Sequence, residues 1–275
     1  MASYFRPTEL SQALAALSEC ALTIVAGATD YYPTQVGRRA DHDILDPSAI
    51  EALHGIEAEG DYWRIGAMTT WRDLMDAELP PCFDGLKAAA RQVGGPQIQN
   101  TATIAGNLCN ASPAADGVTP LLCLEAEVVL QCRVGARRVP LSKFILGNRR
   151  TVLAPDEMLT AIEVPQHLEQ ARSGFIKLGA RSSLVISIVM AAGVLQLDGA
   201  GRVMRAGLSV GACSEVAQRL SVLEAALVGQ VPIGDLVKPE HFATLSPLDD
   251  HRGTAGYRLD AAVTLVRRLL EELSP

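Results

Sequence analysis

The chain has 275 residues, a formal net charge of −7, 48% apolar residues and only 4% aromatic ones. Its length fits one large domain or, better, two, and the apolar content excludes a disordered chain. The acidic balance argues against a nucleic-acid binder, because phosphate binding normally needs a basic face.

The N-terminus, MASYFRPTEL, has no basic stretch followed by an apolar one. No secretory signal is expected, and a cytoplasmic enzyme or enzyme subunit is the starting expectation. Thr8 can cap a helix whose apolar face is Leu10, Ala13, Leu14 and Leu17. Residues 22–26 form a short apolar run rich in β-branched side chains, read as a buried strand that ends in Gly27-Ala28-Thr29-Asp30. Ile44-Leu45 before Asp46-Pro47 suggests another strand closed by a turn. Residues 62–66 alternate like a strand, Thr70-x-x-Asp73 opens a helix, and 80–91 is a further helix stopped by Gly94-Gly95-Pro96.

The stretch QVGGPQIQNTATIAGNLCNASPAADGVTP is so dense in small and polar residues that composition reads it as one long loop. Loops of that length in a compact protein are usually functional. A helix is expected over 118–124 and strands over 126–133 and 159–164, with a domain boundary in the aperiodic 165–173 segment. Beyond it come a strand (174–178), a long apolar element (187–197), a turn at 198–202 and a return strand (203–211). The most apolar run, 184–197, holds Ser187 and Gln196 between Arg181 and Asp198. It falls short of the roughly 18 apolar residues that cross a bilayer. A Ser214-capped helix to Leu227 and a last helix over 260–273 complete a small α+β unit with helices on one face of an antiparallel sheet.

The six cysteines (Cys20, Cys82, Cys109, Cys123, Cys132 and Cys213) are scattered, without the C-x2-C or C-x4-C spacing of zinc or iron–sulfur ligands. The five histidines show no i,i+4 pair, and neither a G-x-S-x-G elbow nor a G-x-x-x-x-G-K-[ST] phosphate loop is present. Buried free thiols are expected, with no metal site on this chain.

Two glycine-bearing turns stand out instead: Val25-Ala26-Gly27-Ala28-Thr29-Asp30 and Thr103-Ile104-Ala105-Gly106-Asn107. A backbone that approaches phosphate closely needs residues without bulk, and successive N–H groups in such turns form a concave anion site. Thr29, Thr103 and Asn107 add side-chain donors, with Asn110 and Asp116 close behind. Neither turn is the G-x-G-x-x-G of a dinucleotide-binding Rossmann unit.

These turns lie within VAGATDYY (25–32) and QVGGPQIQNTATIAGNLCNASPAAD (92–116), which are followed by FILGNRRTVLAPDEMLTAIEVP (144–165) and FIKLGARSS (175–183). In that order and over essentially the whole chain, the sequence resembles the FAD-binding (medium) subunit of molybdenum hydroxylases, of the xanthine dehydrogenase and carbon monoxide dehydrogenase type. The resemblance implies an α+β fold. A vanillyl-alcohol-oxidase-type FAD-binding domain (1–168, two subdomains split near 55–60) would precede a small C-terminal domain of the CO dehydrogenase flavoprotein type (169–275). It implies that Thr23, Ile24, Val25, Ala26, Gly27, Ala28, Thr29 and Asp30 wrap the FAD diphosphate together with Thr103, Ile104, Ala105, Gly106 and Asn107. By the same match Asp116 binds the adenosine end, Val93 and Leu159 pack on the cofactor, and Lys177 sits near the flavin ring. Without the match, Lys177 reads as a solvated surface lysine. Arg149-Arg150 would help at an interface or with cofactor charge.

Two departures follow from the match. Ala28 stands where the family's first turn has its second glycine, and Ala105 where the second turn has its first. Each adds a methyl group and disfavours positive φ. The resemblance makes the chain an electron-transfer subunit: molybdenum cofactor on a large partner, two [2Fe-2S] clusters on a small partner, FAD here, and NAD+, oxygen or another acceptor downstream. The assembly would be a heterotrimer, perhaps doubled, with no nucleic acid and no membrane span. A self-sufficient flavin reductase or oxidase on this fold would need a substrate-protonating residue over the flavin. A flavin-free binding module would have only the two alanines in its favour.

Overall fold

The computed structural model describes residues 2–37 and 41–275. Its first unit is a parallel sheet of β1 (Tyr4–Phe5), β2 (Thr23–Ile24) and β3 (Ile44–Leu45), in the order β1-β3-β2. The helix α1 (Leu10–Glu19) buries Ala13, Leu14 and Leu17, as its periodicity requires, but Glu9 rather than Thr8 occupies the N-cap. The 22–26 run supplies only two strand residues. After the Val25 N–H donates to the Leu45 carbonyl the chain leaves the sheet for the Gly27 turn and α2 (Tyr31–Thr34).

The middle of the chain contains β4 (Ile56–Glu59), β5 (Tyr62–Gly66), α3 (Trp71–Asp76), α4 (Asp84–Ala90), α5 (Pro96–Gln99), α6 (Ile104–Asn110) and α7 (Val118–Cys123). It continues through β6 (Glu127–Cys132), β7 (Gly135–Pro140), α8 (Leu141–Phe144), β8 (Ile145–Gly147), β9 (Arg150–Thr151) and β10 (Met158–Pro165). Five of these strands form an antiparallel sheet ordered β4-β5-β10-β6-β7, while β8 and β9 pair as a small hairpin. β10 is central and buried along nearly all its length. The edge strands β4 and β7 escape sequence reading because charged residues line them, as suits exposed edges. The Thr70–Asp73 capping box opens α3 as expected. The helix expected over 80–91 is divided, a 3-10 turn at Pro81–Phe83 leading into α4. The 92–120 stretch is not one loop: Pro96 starts α5 and Thr103 caps α6.

The C-terminal part is a four-stranded antiparallel sheet in sequence order: β11 (Arg172–Leu178), β12 (Val189–Leu197), β13 (Val203–Gly211) and β14 (Gln218–Arg219). Two helices follow, α9 (Ser221–Leu227) and α10 (Ala255–Leu273). Ser214 does not cap α9; its hydroxyl donates to the Cys213 carbonyl and accepts from the Ser246 N–H. Helix α10 starts earlier than expected because Thr254 caps it. Helices do not cover one face only. Val189, Ala191 and Leu195 face the core under α9 and α10, whereas Met190, Ala192 and Val194 join the first core, against α4 and α7. Burial on both faces explains the unbroken apolar run of β12.

Helix α7 lies directly on β13 because that face carries Gly207, Ser209 and Gly211. A Cβ on Gly207 would stand 2.7 Å from the Cys123 carbonyl oxygen, and the Ser209 hydroxyl donates to the Thr119 carbonyl at 2.8 Å. Among the described residues, no helix is long and apolar enough to cross a membrane.

Arg258 of α10 braces the ends of this sheet. Its buried guanidinium donates to the carbonyls of Ile188 (2.5 Å) and Ala212 (3.0 Å) and pairs with Asp250 at 2.7 Å. The Arg252 backbone N–H, with Arg258 behind it, holds the Asp250 carboxyl down at about 2. Arg258→Met is expected to cost about 3–5 kcal/mol in urea unfolding, because buried acceptors lose their donor. The stability advantage of the wild type over Asp250→Asn should be complete above about pH 4, the ordinary aspartate range. It should disappear as pH falls through about 2, since a depressed pKa contributes stability only while the group stays ionised.

Candidate functional site

The two glycine-bearing turns meet. Gly27 packs so tightly on the 101–102 backbone that an added Cβ would lie 2.1 Å from the Thr101 carbonyl oxygen. No side chain fits there, so the position requires glycine for contact rather than for φ. Ala28, next in line, has φ +59°, in the left-handed region that costs an alanine about 1–2 kcal/mol. The methyl noted in the sequence is therefore a real strain at position 28. At Ala105 it is not, since Ala105 lies within α6 and is buried.

The second turn is pinned from behind. Thr70 and Thr103 form an antiparallel bridge, with the Trp71 N–H on the Ala102 carbonyl (3.2 Å) and the Ile104 N–H on the Thr69 carbonyl (3.1 Å). The Thr103 hydroxyl oxygen accepts from the Gly106 N–H at 3.0 Å, which leaves its proton available. The Asn107 side-chain oxygen accepts from the Gly117 N–H at 3.3 Å, leaving its amide hydrogens available. Both side chains thus retain donors for an anion, while their acceptors are spent on the backbone.

Between the turns lies a cavity of about 580 Å³, within the range of small-molecule sites. Ile24 through Asp30, Val93, Thr103, Ala105, Gly106, Asn107, Asn110 and Leu159 line it, as the sequence reading grouped them. Four expected residues lie outside this lining. Thr23 pairs with Ile44 in the parallel sheet, Ile104 is fully buried in the core, and Asp116 and Lys177 stand apart. The structure adds Tyr31, Pro47, Trp71, Ile98, Cys109, Thr151 and Leu153. Tyr31, Thr151 and Leu153 sit inside matching stretches of sequence, a signal that could have found them. Trp71 carried none, being an ordinary core residue by pattern. Burial pushes the Cys109 thiol up to about 12, so it stays protonated. Among the described residues no group of three His, Cys, Asp or Glu could hold a metal ion.

Asp116 and Lys177 bind each other. Lys177 Nζ lies 2.6 Å from Asp116 Oδ2, the Ser187 hydroxyl donates to Oδ1 at 2.7 Å, and the Lys177 side chain is 5% exposed. Lys177 is therefore not a solvated surface lysine. Burial raises the Asp116 pKa, opposed by the Lys177 charge and the Ser187 hydroxyl. The resemblance implied Asp116 at the adenosine end and Lys177 near the flavin ring; in the structure their charged atoms are in contact. They act at a single locus, joining the α6–α7 connection to β11 and to the segment before β12. Lys177 and Gln92 also line a second cavity, of about 260 Å³, with Arg181, Ser182 and Ser183. Arg149 is a left-handed residue (φ +56°) whose N–H donates to the Ala111 carbonyl, and Arg150 pairs with Glu215 at 3.4 Å; neither lines the large cavity.

Residues 1–167 match the family described as the FAD binding domain in molybdopterin dehydrogenase, and residues 175–273 the CO dehydrogenase flavoprotein C-terminal domain. The chain is 32% identical to the nicotinate dehydrogenase FAD-subunit of Eubacterium barkeri, over 82% of this chain and 79% of that protein. It is 29% identical to the putative xanthine dehydrogenase FAD-binding subunit of Escherichia coli (strain K12), over 98% and 95%. Among solved structures it superposes on carbon monoxide dehydrogenase from Hydrogenophaga pseudoflava with a TM-score of 0.90 at 28% identity, covering 99% of this chain and 96% of the other.

Ala28→Gly should relieve the left-handed strain and raise unfolding free energy by about 0.5–1 kcal/mol, after allowance for the looser unfolded chain. Lys177→Met should cost about 3–5 kcal/mol by stranding the Asp116 carboxylate, with part regained in Lys177→Met/Asp116→Leu. Urea denaturation of the three variants reads both effects.

Proposed function

We propose a function from one premise: the chain belongs to the FAD-binding medium subunits of molybdenum hydroxylases. Its cofactor is FAD, and it is an oxidoreductase subunit. The observation that carries the site assignment is the junction of the Gly27 and Thr103 turns around one cavity, inside the FAD-binding match. In this reading the Ile24–Asp30 lining and Thr103, Gly106 and Asn107 hold the diphosphate. The free Thr103 proton and Asn107 amide act as donors, and Val93 and Leu159 flank the rings. FAD, when bound, supplies reversible two-electron redox chemistry. The chain's own work is to bind it, orient it and shield it. Lys177, tied to Asp116, contributes a fixed cation whose charge is matched locally, so Thr23, Asp116 and Lys177 support the site from outside the large cavity.

Residues 1–168 form the FAD-binding unit and 169–275 the covering unit, a division supported by the two family matches. Electrons arrive from iron–sulfur clusters on a small partner, which receives them from a molybdenum centre on a large one. They leave for NAD+, oxygen or another acceptor. The partner assignment is supported by relatives named as a medium chain of carbon monoxide dehydrogenase in Hydrogenophaga pseudoflava and in Afipia carboxidovorans.

The purified chain should be yellow and release FAD, not FMN, on denaturation; a colourless protein that takes up no FAD overturns this function. Thr103→Val/Asn107→Ala should weaken FAD binding about 100-fold or more, two charge-assisted hydrogen bonds being lost. Unchanged FAD retention in that variant would show that the Thr103 turn does not hold the diphosphate.

A further inference from the structure

Tyr31 begins α2, directly after the Gly27–Asp30 turn, and lines the large cavity. Its hydroxyl is 2.8 Å from His42 Nε2, and His42 Nδ1 is 3.0 Å from Asp41 Oδ1. A carboxylate can only accept, so Nδ1 carries a proton toward Asp41, and Nε2 is left as the hydrogen-bond partner of the Tyr31 hydroxyl. The phenol hydroxyl is thereby engaged by His42, and the chain of three side chains fixes the ring at its far end. Among the described residues, the ring's aromatic neighbours meet it steeply: Tyr32 at 5.3 Å and 71°, His42 at 5.8 Å and 89°. Neither neighbour stacks on it. A half-buried aromatic ring on a cavity wall, held at its far end by a hydrogen-bond chain, is a prepared surface for a flat ligand.

We propose that Tyr31, positioned by His42 and Asp41, is a stacking wall for one heteroaromatic ring of the bound dinucleotide. This rests on the FAD reading above. The ring's source is either the isoalloxazine or the adenine, and both share the chemistry that a phenol face recognises. The chain makes Tyr31 a binding residue beyond the two phosphate-facing turns, and His42 and Asp41 positioning residues.

The test is titration of the full chain, stripped of flavin, with FAD, FMN and ADP, read by fluorescence and calorimetry. Uptake of FAD by the wild type is the control, and its failure would count against the FAD reading rather than against Tyr31. Tyr31→Leu should raise the FAD dissociation constant about tenfold, the scale of one ring stack. Tyr31→Phe, which keeps the ring, should stay within about threefold, and His42→Ala should weaken binding about threefold by releasing it. A parallel loss for FMN in Tyr31→Leu, with brighter bound flavin, identifies the isoalloxazine; a parallel loss for ADP identifies the adenine. Unchanged FAD affinity in Tyr31→Leu, or a loss in Tyr31→Phe as large as in Tyr31→Leu, overturns the proposal. Thermal unfolding of each variant without ligand distinguishes lost binding from lost folding, and His42→Ala leaves Tyr31 in place as the second variant.

Discussion

The contact of Gly27 with the Thr101–Ala102 backbone is the constraint on which the site depends. It presses a turn from the small parallel sheet onto the turn between α5 and α6, closer than any side chain permits. Neither turn alone encloses a cavity. Together, with the Thr70–Thr103 bridge holding the second from behind and fully buried Trp71 beneath, they do. The position of Thr103, Gly106 and Asn107 relative to the Val25–Asp30 segment is then fixed by backbone packing, which is stiffer than any arrangement of exposed side chains.

The C-terminal sheet braces the segment that follows the Thr103 turn. Its residues Gly207, Ser209 and Gly211 let α7 sit directly on it, and α7 directly follows the Asn110–Asp116 segment. Three non-glycine residues in the left-handed region gather on that segment: Ala111 within it, Arg149 bonded to Ala111, and Ala212 bonded to Pro113. Such conformations persist only where surrounding contacts over-determine them. Here Arg258, which holds Ile188 and Ala212 together, supplies part of that determination. The Asp116–Lys177–Ser187 cluster completes it with buried charges satisfied across the join. A matched pair of opposite charges keeps the local field small.

This arrangement suits a subunit whose chemistry is supplied by a cofactor. The chain contributes a backbone cradle with spare donors at Thr103 and Asn107, apolar walls at Val93 and Leu159, and a thiol at Cys109 kept protonated by burial. Those features line the cavity with backbone, apolar surface and a protonated thiol. The left-handed Ala28 shows that the cradle tolerates local strain where its neighbours hold the turn in place.

Much of this was legible in the sequence. Local pattern located α1, the Thr70–Asp73 box, the central strands and both turns, because side-chain periodicity and cap chemistry act within a few residues. The specific stretch TIAGNLCNASPAAD, by resemblance, identified the family and the cofactor. Other features were invisible there because they arise from residues distant in the chain. That Gly27 is required by contact, and Ala28 rather than Ala105 is strained, depends on where residues 101–102 lie. That Asp116 and Lys177, 61 positions apart, neutralise each other depends on β11 lying beside the α6–α7 connection. The edge strands β4 and β7, and the double-sided burial of β12, likewise follow from neighbours and not from their own composition. The sequence by itself determined which short segments could bend tightly and which could bury. Only the tertiary structure decided which of them touch, since contact between separated segments is a property of packing and has no local code.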